Sequence, residues 1–282
     1  MTALLHNRPA NPTVSVVIPA MNEARNLEVI LPKLPPVDEV VLVDGESVDD
    51  TVEVAERLLP GIKIVNQTRK GKGNALACGF EEATGDILVM FDADGSADPL
   101  EIPRFVEVLT AGADFAKGSR FCDGGGSADI TRFRRLGNFG LNALANSMMR
   151  TRFTDLCYGF NAFWSDVLHH LDLPSTGVEA YEPPSMVWGD GFEIETVLNC
   201  RVAAAGLNIT EVPSYEKPRI YGLSNLNAVS DGFRVLKTLG TERRRARELM
   251  RSERVLSRRP RRRQRQVIPV WSAAVAAEAL LD

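Results

Sequence analysis

The stretch Ile87-Leu88-Val89-Met90-Phe91-Asp92-Ala93-Asp94-Gly95 decides how the rest of the chain is interpreted. Its apolar run predicts a buried strand, and two carboxylates one residue apart follow that strand directly. Asp92 and Asp94 would then present hard oxygen ligands at the carboxyl edge of a sheet, where open α/β folds bind ligands. The pattern indicates a site for a divalent cation and the phosphates that it carries. A polar turn is the alternative, since Asp and Gly are ordinary turn residues.

The composition is that of a soluble globular protein with an uneven distribution of charge. The chain has 282 residues, of which 44% are hydrophobic and 25% are charged, enough for one large α/β domain with an appendage. The formal net charge is −4, yet the stretch from Arg243 to Arg265 contains twelve arginines against two glutamates. An acidic body that carries a basic arm predicts an anionic surface as a partner.

Cysteine spacing and hydropathy predict a cytoplasmic protein. The four cysteines are widely spaced and form no CxxC pair, so we expect free thiols in a reducing compartment and no structural zinc. The N-terminus lacks a basic region followed by a long apolar core, the pattern of a signal peptide. No window approaches the roughly 18 to 20 apolar residues that span a bilayer.

Apolar runs alternate with helical patterns along the first half of the chain. The predicted strands are Val14–Pro19, Val37–Val43, Ile62–Asn66, Ile87–Phe91 and Asp114–Lys117, with a late edge strand at Leu207–Val212. The predicted helices between them are Glu23–Leu34, Thr51–Leu59, Asn74–Ala83 and a helix that Asp98-Pro99 opens. This alternation predicts an α/β fold with a mostly parallel central sheet and helices on both faces.

The loops after the first strands carry polar side chains. The segment from Ala20 to Asn26 contains no GxGxxG, which argues against a dinucleotide-binding Rossmann domain. Asn22 could face a ligand or cap the following helix. Asp44, at the end of the second strand, could accept hydrogen bonds from a ribose or a base. The segment from Arg69 to Ala75 combines Lys70, Gly71, Lys72 and Gly73, which suits a phosphate site or a solvated basic turn.

Arginines and acidic residues mark the second half. Arg120 could reach a phosphate or form a surface salt bridge. The glycine-rich segment from Cys122 to Asp129 fits a mobile lid or a linker. Arginines 132, 134 and 135 precede a predicted helix over Leu136–Met149 and could form an anion site or stay exposed. Glu193 and Glu195 fit the first turn of a further helix, where the helix dipole is a sufficient reason for them.

An amphipathic helix begins near Leu223 and continues into the arginine arm. At about 1 kcal/mol for each basic residue near an anionic leaflet, partial engagement of the arm would hold the protein at a membrane. RNA binding is the rival explanation, but no aromatic residue lies between Gly240 and Val270 to stack on bases. We therefore expect no nucleic-acid partner, and peripheral attachment to the inner face of the membrane.

Taken together, five segments resemble the family-2 glycosyltransferases of GT-A fold over about residues 14–225. They are Val16–Glu23, Val43–Thr51, Lys70–Ala75, Phe91–Asp94 and Gly118–Arg120. Within that family the chain looks most like the dolichyl- or polyprenyl-phosphate mannosyl- and glucosyltransferases. Those enzymes similarly show a Gly-Phe-x-Ala stretch, a Gly-Phe-Glu-x-Glu helix and an Arg-x-x-Gly-x-Ser turn, here at Gly159–Ala162, Gly191–Glu195 and Arg219–Ser224.

The resemblance implies roles for individual residues. Asp92 and Asp94 would hold Mg²⁺ or Mn²⁺ against the diphosphate of a nucleotide sugar such as GDP-mannose or UDP-glucose. The implied nucleotide pocket consists of Pro19, Ala20, Asn22, Glu23, Asp44, Lys72, Gly73, Asp92 and Ala93. The implied binding site for the phosphate of a lipid acceptor consists of Arg120, Arg134, Arg135, Arg219 and Ser224.

Three departures from the family pattern stand out. Asp44-Gly45 replaces the frequent Asp-Asp, and Asp49-Asp50 stands where the family usually has Asp-Gly. Asn225 replaces the lysine that usually ends the Arg-x-x-Gly-x-Ser turn, which removes one cation from the implied acceptor site.

The resemblance implies transfer of a hexose from a nucleotide diphosphate sugar to a polyprenyl-phosphate-type acceptor. An acceptor hydroxyl would require a general base, for which Asp190 is the first candidate. One alternative is a soluble acceptor, as in enzymes similar to glucosyl-3-phosphoglycerate synthase, and another is a non-catalytic membrane- or RNA-binding adaptor. We expect a tail at residues 1–13, the transferase domain at 14–225, a basic helical arm at 226–265 and a C-terminal tail at 266–282.

Overall fold

The computed structural model describes residues 8–177, 186–222 and 228–258. The chain divides into two units, Met1–Ala246 and Arg247–Asp282. Of the second unit, only the end of one helix, residues 247–258, is described.

Seven strands form the central sheet in the order β3-β2-β1-β4-β7-β5-β8. All neighbouring pairs are parallel except those that β7 makes with β4 and β5. The strands are β1 (Val14–Ala20), β2 (Glu39–Asp44), β3 (Lys63–Asn66), β4 (Ile87–Met90), β5 (Phe115–Ser119), β7 (Asn161–Trp164) and β8 (Ile209–Pro213). The prediction of a mostly parallel sheet is confirmed, and the late strand lies at the edge of the sheet as expected.

Eight α-helices connect or follow these strands in the described residues. They are α1 (Ala24–Ile30), α2 (Thr51–Leu58), α3 (Lys72–Glu82), α4 (Ile102–Thr110), α5 (Arg132–Met149), α6 (Leu168–Leu171), α7 (Ile194–Ala204) and α8 (Ala228–Arg258). Short 3-10 turns flank several of them, at Leu31–Lys33, Pro99–Glu101 and Ser165–Val167. The central strands are buried on both faces because helices cover them, which explains why β4 has only apolar residues.

The glycine-rich segment that follows Arg120 is not a free lid. Within it, β6 (Gly126–Ser127) pairs in parallel with β9 (Tyr215–Glu216) and forms a second, two-stranded sheet. The backbone N–H of Ala128 also donates to the carbonyl oxygen of Glu216. The expectation of a mobile lid or linker is therefore wrong for these residues.

Helix α5 begins four residues earlier than the sequence predicts. Thr131 is its N-cap, and its side-chain oxygen accepts a hydrogen bond from the N–H of Arg134. Cap residues fix the start of a helix because they satisfy otherwise orphaned N–H groups. The arginines at positions 132, 134 and 135 therefore lie inside the first turn of α5 and do not precede it.

Helix α8 packs against α5 and α7 through its first half. Val235 and Leu239 join a small cluster that includes Ala145 of α5 and Cys200 of α7. Farther along, Glu242 forms a buried ion pair with Arg201 of α7. In the part of the chain that the structure describes, no helix is both long enough and apolar enough to cross a membrane.

Candidate active site

The predicted site lies at the carboxyl edge of three adjacent parallel strands. β1 and β2 pair in register, so that Ala20 lies opposite Asp44 at their ends. β4 lies on the other side of β1 and ends at Met90, and the chain then continues into Asp92 and Asp94. The parallel register thus brings residues far apart in sequence to one edge of the sheet.

Asp92 belongs to a three-residue cluster of charges. The Nζ atom of Lys72 lies 2.7 Å from Asp92 Oδ1 and 2.7 Å from Glu195 Oε1. Burial alone would lower the pKa of Lys72, but the two carboxylates outweigh burial and raise this pKa above its ordinary value. Lys72 is therefore a permanent cation beside the first carboxylate of the Asp-x-Asp pair.

Gly159 provides the space in which this cluster forms. A Cβ atom at this position would lie 2.9 Å from Lys72 Nζ and 3.2 Å from both Asp92 Oδ2 and Glu195 Oε1. Glycine at this position allows the backbone to approach three functional groups. In the sequence, Gly159 stands out only as part of a family motif, and the helix dipole alone accounts for Glu195. The motifs around these residues were the only signal that could have placed them in the site.

Asp94 faces a second cation, Arg219. Arg219 Nη1 lies 3.5 Å from Asp94 Oδ2, and Nη2 pairs with the carboxylate of Glu23. The backbone N–H of Ile220 donates to the carbonyl oxygen of Asp94 at 3.2 Å. The turn that carries Arg219 therefore lies along the Asp-x-Asp motif, as the implied acceptor site would require.

Asn22 joins the first two loops and does not cap α1. Its backbone is in the left-handed region, with φ at 59°. Its Oδ1 atom accepts a hydrogen bond from the N–H of Val48 at 2.8 Å, and its own N–H donates to Ser47 Oγ at 2.9 Å. The capping alternative is wrong because the residue at the N-cap position is Glu23, whose side chain makes no capping hydrogen bond.

The other residues of the implied nucleotide pocket lie at or just beyond the carboxyl ends of β1, β2 and β4. Asp44 is buried, and its carboxylate accepts a hydrogen bond from the N–H of Ser47 at 3.2 Å. Ala20 and Ala93 are buried, and Pro19 is partly buried at the end of β1.

The glycines of the Lys-Gly-Lys-Gly segment approach another part of the protein. A Cβ atom on Gly71 would collide with the carbonyl oxygen of Asp190, and one on Gly73 would collide with that of Gly189. The Asp190 carbonyl oxygen accepts hydrogen bonds from the N–H groups of Gly73 at 2.6 Å and Asn74 at 3.2 Å. The N–H of Gly73, which the resemblance places in the nucleotide pocket, therefore already has an acceptor within the protein.

Asp190 is enclosed in a buried ion pair. Its Oδ2 and Oδ1 atoms lie 2.7 Å from Arg69 Nε and 2.9 Å from Arg69 Nη2. Its Oδ2 atom also accepts a hydrogen bond from the N–H of Val187 at 3.0 Å. A general base must reach the proton that it abstracts. The structure therefore contradicts the expectation that Asp190 is the base, because its carboxylate faces Arg69 and the loop backbone.

Arg120 is likewise engaged by protein carboxylates. It is buried, and its Nε and Nη2 atoms contact the two carboxylate oxygens of Asp155 at 2.6 and 3.0 Å. Its Nη1 atom lies 2.9 Å from Glu216 Oε1. Burial would raise the pKa of Asp155, but the Arg120 guanidinium outweighs it and holds that pKa below its usual range. The expectation that Arg120 binds an acceptor phosphate is therefore corrected. Its guanidinium group instead links Asp155 to Glu216 inside the protein.

The remaining acceptor residues differ in their surroundings. Arg134 pairs with Asp129 at 2.9 Å, whereas Arg135 is exposed with its Cζ atom 5.9 Å from the ring centre of Phe121. Ser224, the last residue of the implied acceptor site, lies outside the described residues. Arg134 and Arg219 thus each pair with a protein carboxylate, with side chains that are 29% and 25% exposed, whereas Arg135 is more exposed than either.

The donor chemistry of Asp92 and Asp94 fits a hard divalent cation. Their side chains are 35% and 25% exposed, so both carboxylates are accessible to solvent. Within the described ranges, no group of three or more His, Cys, Asp or Glu side chains could hold a metal.

Comparisons with known proteins agree on one family. The sequence model described as Glycosyl transferase family 2 matches residues 15–172. Dolichol-phosphate mannosyltransferase from Pyrococcus furiosus is 34% identical over 175 residues, which cover 58% of this chain and 49% of that protein. Undecaprenyl-phosphate mannosyltransferase from Micrococcus luteus is 30% identical over 224 residues, which cover 76% of this chain and 87% of that protein. The chain thus spans about half the length of the first relative and most of the second.

Solved structures confirm the GT-A type of fold. Glucosyl-3-phosphoglycerate synthase from Mycobacterium tuberculosis, in complex with Mn²⁺, UDP and phosphoglyceric acid, aligns with a TM-score of 0.63 at 23% identity. The alignment covers 83% of this chain and 79% of that one. The same enzyme with Mg²⁺ and UDP aligns with a TM-score of 0.62 at 25% identity, covering 83% of this chain and 80% of that one.

Proposed function

The chain belongs to glycosyl transferase family 2, and we propose that it transfers a hexose from a nucleotide diphosphate sugar to a polyprenyl-phosphate-type acceptor with the help of a divalent cation. The observation that carries this proposal is the placement of Asp92 and Asp94 at the carboxyl end of β4, beside the fixed ammonium group of Lys72. Two hard oxygen ligands and a permanent cation at one edge of the sheet suit a metal-bound diphosphate.

Asp92 and Asp94 would hold Mg²⁺ or Mn²⁺. When bound, the cation would neutralise the negative charge that develops on the leaving diphosphate as the bond to the sugar lengthens. Lys72 is close enough to Asp92 to contribute a second positive charge at the same place. Asp44 and the loop that Asn22 ties to Ser47 would receive the nucleoside.

A phosphate monoester acceptor suits a site in which Asp190 is enclosed and cannot act as a base. The phosphate oxygen of such an acceptor is already ionised near neutral pH, so no strong general base is required. Arg135 and Arg219 are the cations that we assign to the acceptor phosphate. This assignment leaves Arg120 to hold Asp155 and Glu216 in place.

An exposed apolar face on α5 favours an acceptor that resides in a membrane. Phe133, Leu136 and Phe139 are 67%, 70% and 70% exposed, and their spacing places them on one side of the helix. Arg132 and Arg135 lie beside them in the first turn. An apolar face with basic neighbours suits the interface of an anionic leaflet. The arginines of α8 would add to this attraction, which makes a peripheral membrane location part of the proposal.

A soluble anionic acceptor is the second candidate function. It is considered because glucosyl-3-phosphoglycerate synthase, whose structure contains phosphoglyceric acid, has a similar fold. Transfer assays with undecaprenyl phosphate in anionic vesicles and with 3-phosphoglycerate in solution would separate the two acceptors. Product with the second acceptor alone would replace the lipid assignment.

Binding of the donor tests the proposed function directly. Melting curves would be recorded for the full chain and for Asp94→Asn with GDP-mannose, UDP-glucose, GDP and UDP, each with and without Mn²⁺. A ligand at about 100 times its dissociation constant should stabilise the fold by about 2.7 kcal/mol. We expect a Mn²⁺-dependent shift with one nucleotide family, lost in the variant. The absence of any shift in the unmodified chain would favour a non-catalytic adaptor.

A further inference from the structure

Glu195 is a buried carboxylate that depends on a cation supplied by another element. It lies in the first turn of α7, and its Oε1 atom is 2.7 Å from Lys72 Nζ at the start of α3. A buried carboxylate that loses its counter-charge is strongly unfavourable. The contact with Lys72 is thus required by Glu195 as much as by Lys72.

The two carboxylates that share Lys72 differ in their access to solvent. Glu195 is buried against the backbone at Gly159, whereas the side chain of Asp92 is 35% exposed to solvent. Asp92 can exchange Lys72 for a ligand that arrives from solvent at a lower cost than Glu195 can. Lys72 should therefore remain on Glu195 when Asp92 changes its partner.

We infer that Glu195 is a positioning residue, which holds Lys72 at the site while Asp92 takes a divalent cation and thereby directs the ammonium group toward the diphosphate. This inference rests on the proposed function. In the structure, Lys72 balances the charge of Asp92. When the cation and the nucleotide bind, the ammonium group of Lys72 would lose its contact with Asp92 and face the phosphates. Its contact with Glu195 would keep it in the site.

Arg219 shows the same arrangement at the second carboxylate of the motif. It contacts Asp94 Oδ2 at 3.5 Å and pairs more closely with Glu23, whose side chain is less exposed than that of Asp94. Each carboxylate of the Asp-x-Asp pair thus shares its cation with a more buried glutamate. The same arrangement at Asp92 and at Asp94 supports the inference that the buried glutamate keeps the cation in the site.

A double-mutant cycle on nucleotide affinity tests the role of Glu195. Affinity for UDP and GDP in the presence of Mn²⁺ would be measured by calorimetry for Lys72→Met, Glu195→Gln and the double variant. We expect Glu195→Gln to weaken the affinity for the preferred nucleotide about tenfold, because Lys72 then moves fully onto Asp92. We expect the double variant to bind within about twofold of Lys72→Met alone, since Glu195 acts through Lys72.

Glu193 provides a matched control two residues away. Its carboxylate accepts hydrogen bonds from the N–H groups of Gly189 at 3.1 Å and Gly191 at 3.3 Å. Any effect of Glu193→Gln on nucleotide affinity should therefore add to that of Lys72→Met. Glu195→Asp keeps the charge on a shorter side chain and should restore part of the affinity that Glu195→Gln loses.

Binding of Mn²⁺ without nucleotide gives a second readout, independent of activity. Lys72→Met removes the competitor for Asp92, so that Mn²⁺ should bind more tightly when it is titrated by electron paramagnetic resonance. Glu195→Gln leaves Asp92 as the remaining carboxylate partner of Lys72, so that Mn²⁺ should bind more weakly. A merely structural role for Glu195 would lower the melting temperature without these opposite effects.

The outcomes separate this inference from the proposed function. If the unmodified chain binds neither UDP nor GDP with Mn²⁺, the proposed function fails and the inference falls with it. If the unmodified chain binds a nucleotide but the effects of Lys72→Met and Glu195→Gln are additive, only the positioning role of Glu195 is overturned. Unchanged Mn²⁺ affinity in both single variants would overturn it as well.

Discussion

Arg69 and Asp190 form a two-point ion pair in which the side chains are 0% and 1% exposed. The pair joins the segment before α3 to the loop before α7, and the Asp190 carbonyl oxygen caps the first N–H groups of α3. Lys72 stands between these contacts at the start of α3. The buried pair therefore helps to fix the position of Lys72 at the start of α3, although the side chains of Arg69 and Asp190 are not exposed to solvent.

Replacement of Asp190 should lower the stability of the fold, because Asp190 is a member of a buried ion pair and not the catalytic base. Asp190→Asn removes the negative charge that Arg69 faces in the interior, and the loss of one partner of a buried pair costs about 3 to 5 kcal/mol. Urea denaturation would show a lower midpoint. The control is Asp98→Asn, because Asp98 pairs with Lys217 in a solvent-accessible contact, with side chains 28% and 51% exposed, and the change should cost no more than about 1 kcal/mol. A variant as stable as the unmodified chain that has lost transfer activity would restore Asp190 as a base.

A methyl group at Gly159 should disturb the cluster of Lys72, Asp92 and Glu195. Since its Cβ would lie 2.9 Å from Lys72 Nζ, the ammonium group would have to move. We expect Gly159→Ala to weaken nucleotide affinity about tenfold or more, measured by calorimetry with Mn²⁺.

Gly137→Ala is the control for that substitution. Gly137 lies in α5, and a Cβ there would have no heavy atom within 4 Å apart from its own helix. Alanine should stabilise this helix by about 0.5 to 1 kcal/mol and leave nucleotide affinity unchanged. Equal losses of affinity in both variants would contradict a local effect at the cluster.

Lys117 should make stability depend on alkaline pH. It is buried in β5, and its Nζ donates to the carbonyl oxygens of Gly118 at 2.9 Å and Tyr158 at 2.8 Å. Burial lowers the pKa of Lys117 below its ordinary value. Between this lowered value and the unfolded value of about 10.4, the unfolded chain binds one proton more than the folded chain does. The contribution of Lys117 to stability therefore rises with pH in that window.

The measurement compares the unmodified chain with Lys117→Met. Free energies of unfolding would be determined in steps from pH 7 to pH 10. The difference between the two proteins should shift in favour of the unmodified chain as the pH rises, because the penalty for a buried ammonium group disappears. A difference that stays constant, or that moves the other way, would mean that the carbonyl contacts and nearby carboxylates fully compensate the burial.

The local pattern was enough to predict the strand that precedes Asp92 and Asp94, since an apolar run followed by polar residues has few interpretations. It did not distinguish Asp190 from Glu195, which lie five residues apart in one acidic segment. Their partners, Arg69 and Lys72, come more than a hundred residues earlier, and only the folded chain brings each pair together. The pairing of β6 with β9 was missed for a similar reason, because two-residue strands carry no periodic signal.

The apolar face of α5 should bind membranes independently of nucleotide. Flotation with vesicles that contain about 30% anionic lipid would compare the unmodified chain with Leu136→Ser/Phe139→Ser. At about 25 cal/mol for each Å² of apolar surface removed from water, two large exposed side chains can contribute a few kcal/mol to binding. We expect the double variant to float much less and to keep its Mn²⁺-dependent affinity for nucleotide.

Two controls decide whether this face itself is responsible. Leu100→Ser changes a side chain that is 67% exposed, outside α5, and should leave flotation unchanged. Truncation after Arg258 removes several arginines of the arm and should weaken flotation mainly at low salt, because screening reduces contributions from exposed charge. If truncation abolishes flotation while Leu136→Ser/Phe139→Ser has no effect, the arm alone attaches the protein. In that case the exposed face of α5 would be expected to contact another protein. Analytical ultracentrifugation of the unmodified chain and of the double variant would show whether that protein is a second copy of the chain.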